Sequence, residues 1–403
     1  MKNSKLKLIN FIFAFAFIVI IFGSGYKLGE YKGLSSITFP SNSNTNVKNL
    51  DFSLFWNVWA ELEKKYVDKT KLDSKKMFYG AIKGMVAALD DPYTFFLTPD
   101  ENIQSKDDLS GKFEGIGAQL GLKDGRIVII APLKQSPAEK AGVRTGDFIN
   151  EVDGQKTASW TLPQAVSKIR GPKGSKVKLT LERSGKELQL TIIRDQIIVL
   201  SIELSYEKNL VILKLNQFGE NTNEEWDKAV SEIENKWAKK EIKGMVLDLR
   251  DNPGGYLESS VYLASEFLPE GKLVVKQEST VNPSHEYRVE RNGRLLNIPL
   301  SILINKGSAS ASEILGGSLR DHKRAKLIGE KSFGKGSVQE ALDLREGAGL
   351  HVTVAKWILP NGDWINSKGI EPDIKIENKI PEGNTLTNET DKQLEKAIEI
   401  LLE

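Results

Sequence analysis

Apolar residues recur along this chain with different periods, and each change of period marks a segment. Phe52, Phe55, Trp59, Leu62 and Tyr66 stand three or four apart with charges between them, the spacing of one helix face. Asp73 or Ser74 caps a second helix through "KKMFYGAIKGMVAAL", and Asp90-Asp91-Pro92 stops it. The aromatic stripe of this small helical unit is expected to be core or an interface. From Phe113 to about Asp195 the pattern shortens to strands, Gly-containing turns, a short helix in "SPAEKAG", a helix at "LPQAVSKIR" and the alternating hairpin "GSKVKLTLERSGKELQLTIIRD". That order predicts a small β-rich module with two short helices. From Leu210 onward, apolar strands ("LVILKLNQF", "GMVLDLR", "LSILIN") alternate with helices ("NTNEEWDKAVSEIENKWAKK", "SSVYLASEFL", "SASEILGGSLRDH"), which predicts an α/β core with a partly parallel sheet. At the end, "TDKQLEKAIEILLE" puts Leu394, Ala397, Ile398 and Leu401 on one face, with Thr390 and Gln393 fitting a capping box. That helix is expected to dock, on this chain or on another copy, or else to be an exposed tail.

The N-terminal pattern is of another kind. Lys2, Lys5 and Lys7 precede the apolar run Leu8–Gly23, which has no polar face and reads as a secretory signal or an uncleaved membrane anchor. "GSG" at Gly23–Gly25 offers a small-residue cleavage site. Either reading puts the remainder outside the cytoplasm: anchored in the cytoplasmic membrane, or secreted if the segment is cleaved. The Ser-, Asn- and Thr-rich stretch Leu34–Leu50 reads as a tether.

Composition narrows the chemistry. The 56 basic and 54 acidic residues nearly balance, so no electrostatic footprint points to nucleic acid. The absence of Cys excludes disulfides, thiolate catalysis and Cys-based zinc sites. The three His, His285, His322 and His351, have no metal-ligand spacing, so a His-rich metal site is not expected, and the serine chemistry read below implies no metal or organic cofactor.

The candidate chemistry lies in "NKGSASASEILGGSLRDH", where a strand runs into a helix. Ser310 with Glu313 is a capping box on its face. The same turn also suits a nucleophile, because the amide of Ala311 belongs to the unpaired donors at the helix N-terminus, and small neighbours admit a substrate backbone. Ser308 and Ser312 flank it in packing or hydrogen-bonding roles. A serine nucleophile needs a base. His322 ends the same helix, roughly 18 Å away along a straight axis; His351 has no such restriction. Lys335, between Gly334 and Gly336 in "GEKSFGKGSVQ", is the other candidate. Its pKa must fall by roughly 3 units, about 4 kcal/mol, to serve near neutral pH. The segment is not a P-loop, and the serine motif is not G-x-S-x-G.

Resemblance adds to these readings. "GIGAQLG", "SPAEKAGVRTGDFINEVDG" and "IRGPKGSKVKLTLER" resemble a PDZ domain of the protease-associated kind. This implies that Gly115, Ile116, Gly117, Ala118, Gln119 and Leu120 form the loop and strand that take a peptide's terminal carboxylate. "DLRDNPGG", "NKGSASASEI", "GEKSFGKGSVQ" and "LPNGDWINSKGIEPD" resemble the carboxyl-terminal processing peptidases, or tail-specific proteases, and the likeness runs from "GAIKGMVAALDDPYTFFLTPDE" to "GIEPD". The resemblance implies a Ser310/Lys335 dyad with Gln339 orienting the lysine. It also implies oxyanion donors from Ala311 and from Gly254 or Gly255, between which the sequence does not choose. Glu313 is then a structural cap, and Asp248 and Asp251 hold the "NPGG" turn. Arg170 is the candidate that reports PDZ occupancy to the core.

The expected organisation is a signal or anchor at 1–33, a linker at 34–50, a helical N-terminal domain at 51–105, a PDZ domain at 106–196, a Ser/Lys protease core at 197–376 and a tail with a helix at 377–403. The expected fold class is therefore α/β and β-rich multidomain. The expected function is a serine endopeptidase that grips protein C-termini and cleaves through an acyl-enzyme. A catalytically silent, membrane-tethered PDZ scaffold and a Ser/His esterase are the alternatives. Expected partners are a protein or peptide with a free C-terminus, the membrane, and further copies of the chain in a homo-oligomer; no nucleic acid is expected.

Overall fold

A computed structural model describes residues 50–403 apart from 124, 134, 159, 281–282, 379–385 and 387–389. The expected anchor and all but the last residue of the expected linker lie outside the described residues. Among the described residues, no helix is long and apolar enough to cross a membrane. The chain divides into two units, Met1–Ser74 and Lys75–Glu403.

In the first unit the predicted helix forms at Ser53–Lys65, with Asp51 accepting the Ser53 N–H at 2.8 Å and Lys64 and Lys65 in its last turn. No residue of this helix is buried, and Leu54, Trp56, Val58 and Leu62 are all exposed. Of the expected stripe, Phe52, Phe55, Leu62 and Tyr66 are exposed and Trp59 is half-buried, so the stripe is not core, and of the two expectations, core or interface, the first is corrected.

The second unit begins with the helix Ser74–Ala87, continues through the short strand Phe95–Leu97, and enters a helix the sequence pattern did not announce, Pro99–Ser110. That helix has a Thr98/Glu101 capping box, Pro99 at its start and Gly111 in the left-handed conformation at its end. The domain edge expected at 105 falls inside it.

Next comes the β-rich module. Strands Ala118–Lys123, Arg126–Pro132, Phe148–Val152, Lys176–Arg183 and Lys186–Ile193 lie in that order, and Ala118–Lys123 is an edge. The two short helices are Pro137–Lys140 and Leu162–Ile169. The core gathers inward-facing residues such as Ile127, Ile129, Ile149, Val177, Leu179 and Leu181. An antiparallel ladder of Lys112–Gly115 with Asp195–Ile198 joins the module to the rest, so its strand pairing continues past the edge expected at 196.

The core from Ile202 onward is a mixed sheet in the order Ile202–Glu207, Leu210–Leu215, Gly244–Asp248, Leu300–Ile304, Lys326–Gly329 and Ile374–Lys375. Its first pair is antiparallel and the others are parallel. The mostly apolar composition of the central strands is explained by burial on both faces. One face takes Val211, Leu213, Met245, Leu247, Ile302 and Leu327, packed beneath Thr222–Ala238, Leu257–Ala264 and Ala311–Asp321. The other takes Leu210, Ile212, Val246, Leu303 and Ile328, covered by Leu394, Ala397 and Ile398 of the helix Lys392–Leu402. The terminal helix thus docks on its own sheet, not as an exposed tail. Its cap is also corrected: the Asp391 side chain accepts the Leu394 N–H at 3.0 Å, while buried Gln393 donates to the Ile376 carbonyl at 2.8 Å. A second sheet joins Phe95–Leu97, Gly349–Ile358, Leu273–Glu278 and His285–Arg288, with Ser337–Asp343 paired to Gly349–Ile358.

Candidate active site

Strand Leu300–Ile304 lies between two parallel neighbours, Gly244–Asp248 and Lys326–Gly329. Parallel neighbours send their following turns to the same edge of the sheet, the edge where α/β folds bind ligands. Three of the motifs read from the sequence therefore meet there: "DNPGG" after the first strand, "NKGSAS" after the middle one and "EKSFGKG" after the third.

The first two turns are stitched together. Asn305 Oδ1 accepts the N–H groups of Asp251 and Gly307, each at 2.9 Å, and Asn305 Nδ2 donates to Asp251 Oδ1. Ser308 donates to the Leu249 carbonyl and Ser312 to that of Asn252, so both flanking serines hold backbone. Asp248 is paired with Arg250 at 2.7 Å, and Arg250 also pairs with Asp391 of the terminal helix. Asp248 is thus held by Arg250, and Asp251 is tied to Asn305. Ser310 then enters the helix at φ +56° and ψ −117°. A non-glycine residue there carries strain on the order of 1–3 kcal/mol, held by the surrounding bonds.

Glu313 is the centre of the stitching. Its buried carboxylate accepts the Ser310 N–H at 2.9 Å, the Ser332 hydroxyl at 2.5 Å, the Gly334 N–H at 2.8 Å and the Lys335 N–H at 3.0 Å. Burial pushes the Glu313 carboxyl above its ordinary value, against the pull of those donors. It caps the helix as expected, and it also fastens the lysine loop to the serine turn.

That loop needs its glycines. Gly334 has φ +94°, and a Cβ there would stand 2.7 Å from the Gly369 N; a Cβ on Gly336 would stand 2.7 Å from the Asn366 N. Lys335 between them is half-buried, with its ammonium 5.3 Å from the centroid of the Tyr93 ring. Burial pushes its amine below the ordinary lysine value, although the Asp91 and Glu313 charges pull the other way. No hydrogen bond joins Lys335 Nζ to the Ser310 hydroxyl or to Gln339. Gln339 instead donates to Ser337 at 2.8 Å and to Thr353 at 3.2 Å.

The candidate oxyanion donors separate. The Gly254 N–H is committed to Asn252 Oδ1 at 2.9 Å. Gly255 is exposed, and its N–H has no partner among the described residues, as is true of Ala311 at the helix start. Gly254 serves by close approach: a Cβ there would lie 2.8 Å from Ser310 Cβ and 2.9 Å from the Ala311 N.

Neither His322 nor His351 is hydrogen-bonded to Ser310. His322 bonds the Leu273 carbonyl at 2.7 Å, and His351 stacks on Phe95 at 4.7 Å. Burial and the Lys335 charge hold His351 below its ordinary value.

In the β-rich module, Gly115 ends the joining ladder, Ile116 is buried, Gly117 has φ +71°, and Ala118, Gln119 and Leu120 open the edge strand. The helix Leu162–Ile169 lies beside that strand. Arg170, just after this helix, pairs with Asp108 at 2.7 Å and lies 4.4 Å over the Phe113 ring. Asp108 belongs to the helix Pro99–Ser110, whose Asn102 and Lys106 bond Asp343 at the end of the strand carrying Gln339.

Sequence reasoning missed Asp91, Tyr93, Thr94 and Thr353. Asp91 accepts from the Tyr93 N–H at 3.0 Å and the Thr94 hydroxyl at 2.7 Å, and Thr94 accepts the Thr353 N–H at 3.0 Å. The available signal was the "DDPYT" run, which was read only as a helix stop.

The fold and the matched families define a serine peptidase that carries a PDZ domain. The model for peptidase family S41 matches residues 209–376, that for a PDZ domain matches 128–183, and that for the activating protease CtpB N-terminal domain matches 29–101. A probable CtpA-like serine protease of Staphylococcus haemolyticus is 36% identical over 379 residues, covering 93% of this chain and 74% of that one. The carboxy-terminal processing protease CtpA of Bacillus subtilis is 38% identical over 347 residues, covering 86% and 72%. Among solved structures, the photosystem II D1 C-terminal processing protease superposes with TM-score 0.54 at 29% identity, covering 87% of this chain and 97% of that one. The chain belongs to the carboxy-terminal processing proteases of peptidase family S41. The silent-scaffold alternative is not favoured.

Proposed function

We propose that Ser310 is the nucleophile of this protease and Lys335 its general base. The meeting of three turns at the edge formed by strands Gly244–Asp248, Leu300–Ile304 and Lys326–Gly329 carries the assignment, because it gathers a strained serine, a desolvated amine and unpaired amides. The neutral amine swings on its flexible stem to Ser310 and takes the hydroxyl proton as the oxygen attacks the scissile carbonyl. The amides of Ala311 and Gly255 receive the oxyanion. The protonated lysine then gives its proton to the leaving amine of the substrate. In the second half, the neutral Lys335 amine deprotonates a water that attacks the acyl carbonyl, the bond to Ser310 Oγ breaks, and Lys335 returns the proton to Ser310. Gln339 steers the lysine on its working stroke.

The substrate's C-terminus enters along the edge strand Ala118–Lys123, with its carboxylate at the Gly115–Gly117 turn. Arg170 relays occupancy of that groove through Asp108 and the helix Pro99–Ser110 to the strand of Gln339. The run Leu8–Gly23 tethers the protein to a membrane with its catalytic part outside, and the open face of Ser53–Lys65 supports self-association. Cell fractionation with external protease digestion checks the tether, and sedimentation checks the association.

The deciding experiment incubates the purified protein with a disordered test protein and maps cuts by mass spectrometry. Cleavage near free C-termini that vanishes in Ser310→Ala is expected. Undiminished cleavage by Ser310→Ala overturns the assignment.

A further inference from the structure

Lys335 approaches the site from the core, but what it rests on comes from a part of the chain more than 200 residues earlier, before the PDZ domain. The Tyr93 ring lies under its ammonium at 5.3 Å. The Asp91 carboxylate, whose charge also acts on Lys335, is fixed by the Tyr93 N–H and the Thr94 hydroxyl. Burial alone would raise the Asp91 carboxyl, but bonds from Thr353, Thr94 and the Tyr93 amide, with the Lys335 charge, outweigh it and hold the group below its ordinary value. The Tyr93 hydroxyl is pushed up by burial and by Glu313 and Asp91, so the ring stays neutral. The charged or titratable groups facing the amine are Asp91 and Tyr93 from this segment, Glu313 from the helix after Ser310 and His351 from the strand Gly349–Ile358.

Resting on the reading of Lys335 as the base, we propose that Tyr93 is a positioning residue: its ring face, together with the nearby Asp91 carboxylate, is the seat that holds the charged amine away from Ser310. An aromatic face attracts an ammonium and has no comparable hold on a neutral amine. The seat therefore keeps the base in its inactive protonation state and place, and loss of the proton frees it to swing. Gln339 connects to the same seat through Thr353, whose hydroxyl accepts from the Gln339 amide and helps hold the Asp91 carboxyl below its ordinary value. In the resting enzyme Gln339 thus acts on the lysine through the seat.

The test is the pH dependence of kcat/KM on one unstructured peptide for the wild type, Tyr93→Phe, Tyr93→Leu and Tyr93→Trp. Tyr93→Phe keeps a ring and should keep the acid limb. Tyr93→Leu should move that limb down by about half a unit to one unit, a three- to tenfold gain at pH values well below it. Tyr93→Trp, with the stronger face, should move it up. An acid limb that neither Leu nor Trp displaces overturns the seat. If Tyr93→Leu lacks the circular dichroism of the folded protein, the Phe and Trp pair decides alone. Lys335→Ala separates the two readings. Its retained activity would remove Lys335 as the base, whereas an inactive Lys335→Ala beside unmoved Tyr93 variants would remove only the seat.

Discussion

The backbone N–H groups of Ser310 and Lys335 point at the same oxygen, Oε2 of Glu313, at 2.9 and 3.0 Å. One buried carboxylate therefore sets where the serine turn ends and where the lysine loop begins. Glu313→Ala strands four donors at once. It should cost about 3 kcal/mol or more in unfolding free energy, measured by urea denaturation, and most of the activity.

Ser310→Ala and Lys335→Ala should each lower turnover by about 10⁴-fold or more, while leaving the far-ultraviolet dichroism unchanged. Lys335→Arg should be as inactive as the alanine variant, since a guanidinium does not give up its proton in a protein. Single-turnover assays with one peptide measure all three.

The pH profile follows from the depressed lysine. With Lys335 as the proposed base, only the neutral amine works, so activity should climb with pH and level off above the amine's pKa, which burial sets below the usual value of about 10.4. The Glu313 charge favours the protonated amine, so removing that charge lowers the pKa further. Glu313→Gln should accordingly shift the acid limb to lower pH in whatever activity remains, the opposite direction from a variant that adds negative charge near Lys335.

Gly254→Ala should be inactive although it alters no polar group. Its φ is +97°, and the new methyl would meet the Ala309 carbonyl at 2.7 Å and Ser310 Cβ at 2.8 Å. The methyl pushes the serine turn from its place. A serine-reactive fluorophosphonate probe should label this variant far more slowly than the wild type.

Arg170→Ala breaks the Asp108 pair and the stack on Phe113. The increase in short-peptide cleavage produced by a second, tail-mimicking peptide should shrink in this variant. Asp108→Asn should shrink it in the same way, and the ratio of the two rates is the measurement.

Much of this was legible before any coordinates. The strands Gly244–Asp248 and Leu300–Ile304 are apolar but for Asp248 and Ser301, and the structure buries every residue in them. Ser310 and Glu313 carried a visible capping pattern, and the hydrogen bond is present. What stayed hidden depends on partners distant in sequence. Asp91 and Tyr93 looked like punctuation after a helix because nothing local announces a contact with Lys335. The second sheet escaped notice because Ser337–Asp343 has no clean alternation and its register shifts between Val338 and Gln339. At the terminal helix, Thr390 and Gln393 matched a local rule, but Asp391 makes the cap, and Gln393 is drawn inward to Ile376 and Arg250. Tertiary demand outranked local preference there.

The ladder between Lys112–Gly115 and Asp195–Ile198 sets the two ends of the PDZ module side by side. Segments on both sides of it, Tyr93 before and Lys335 after, build one centre. The reader of tails is thus a cassette clipped into the middle of the cutting machine. A different reader with paired ends could be spliced onto the same stem, so that what the enzyme chooses and how it cuts are free to evolve apart.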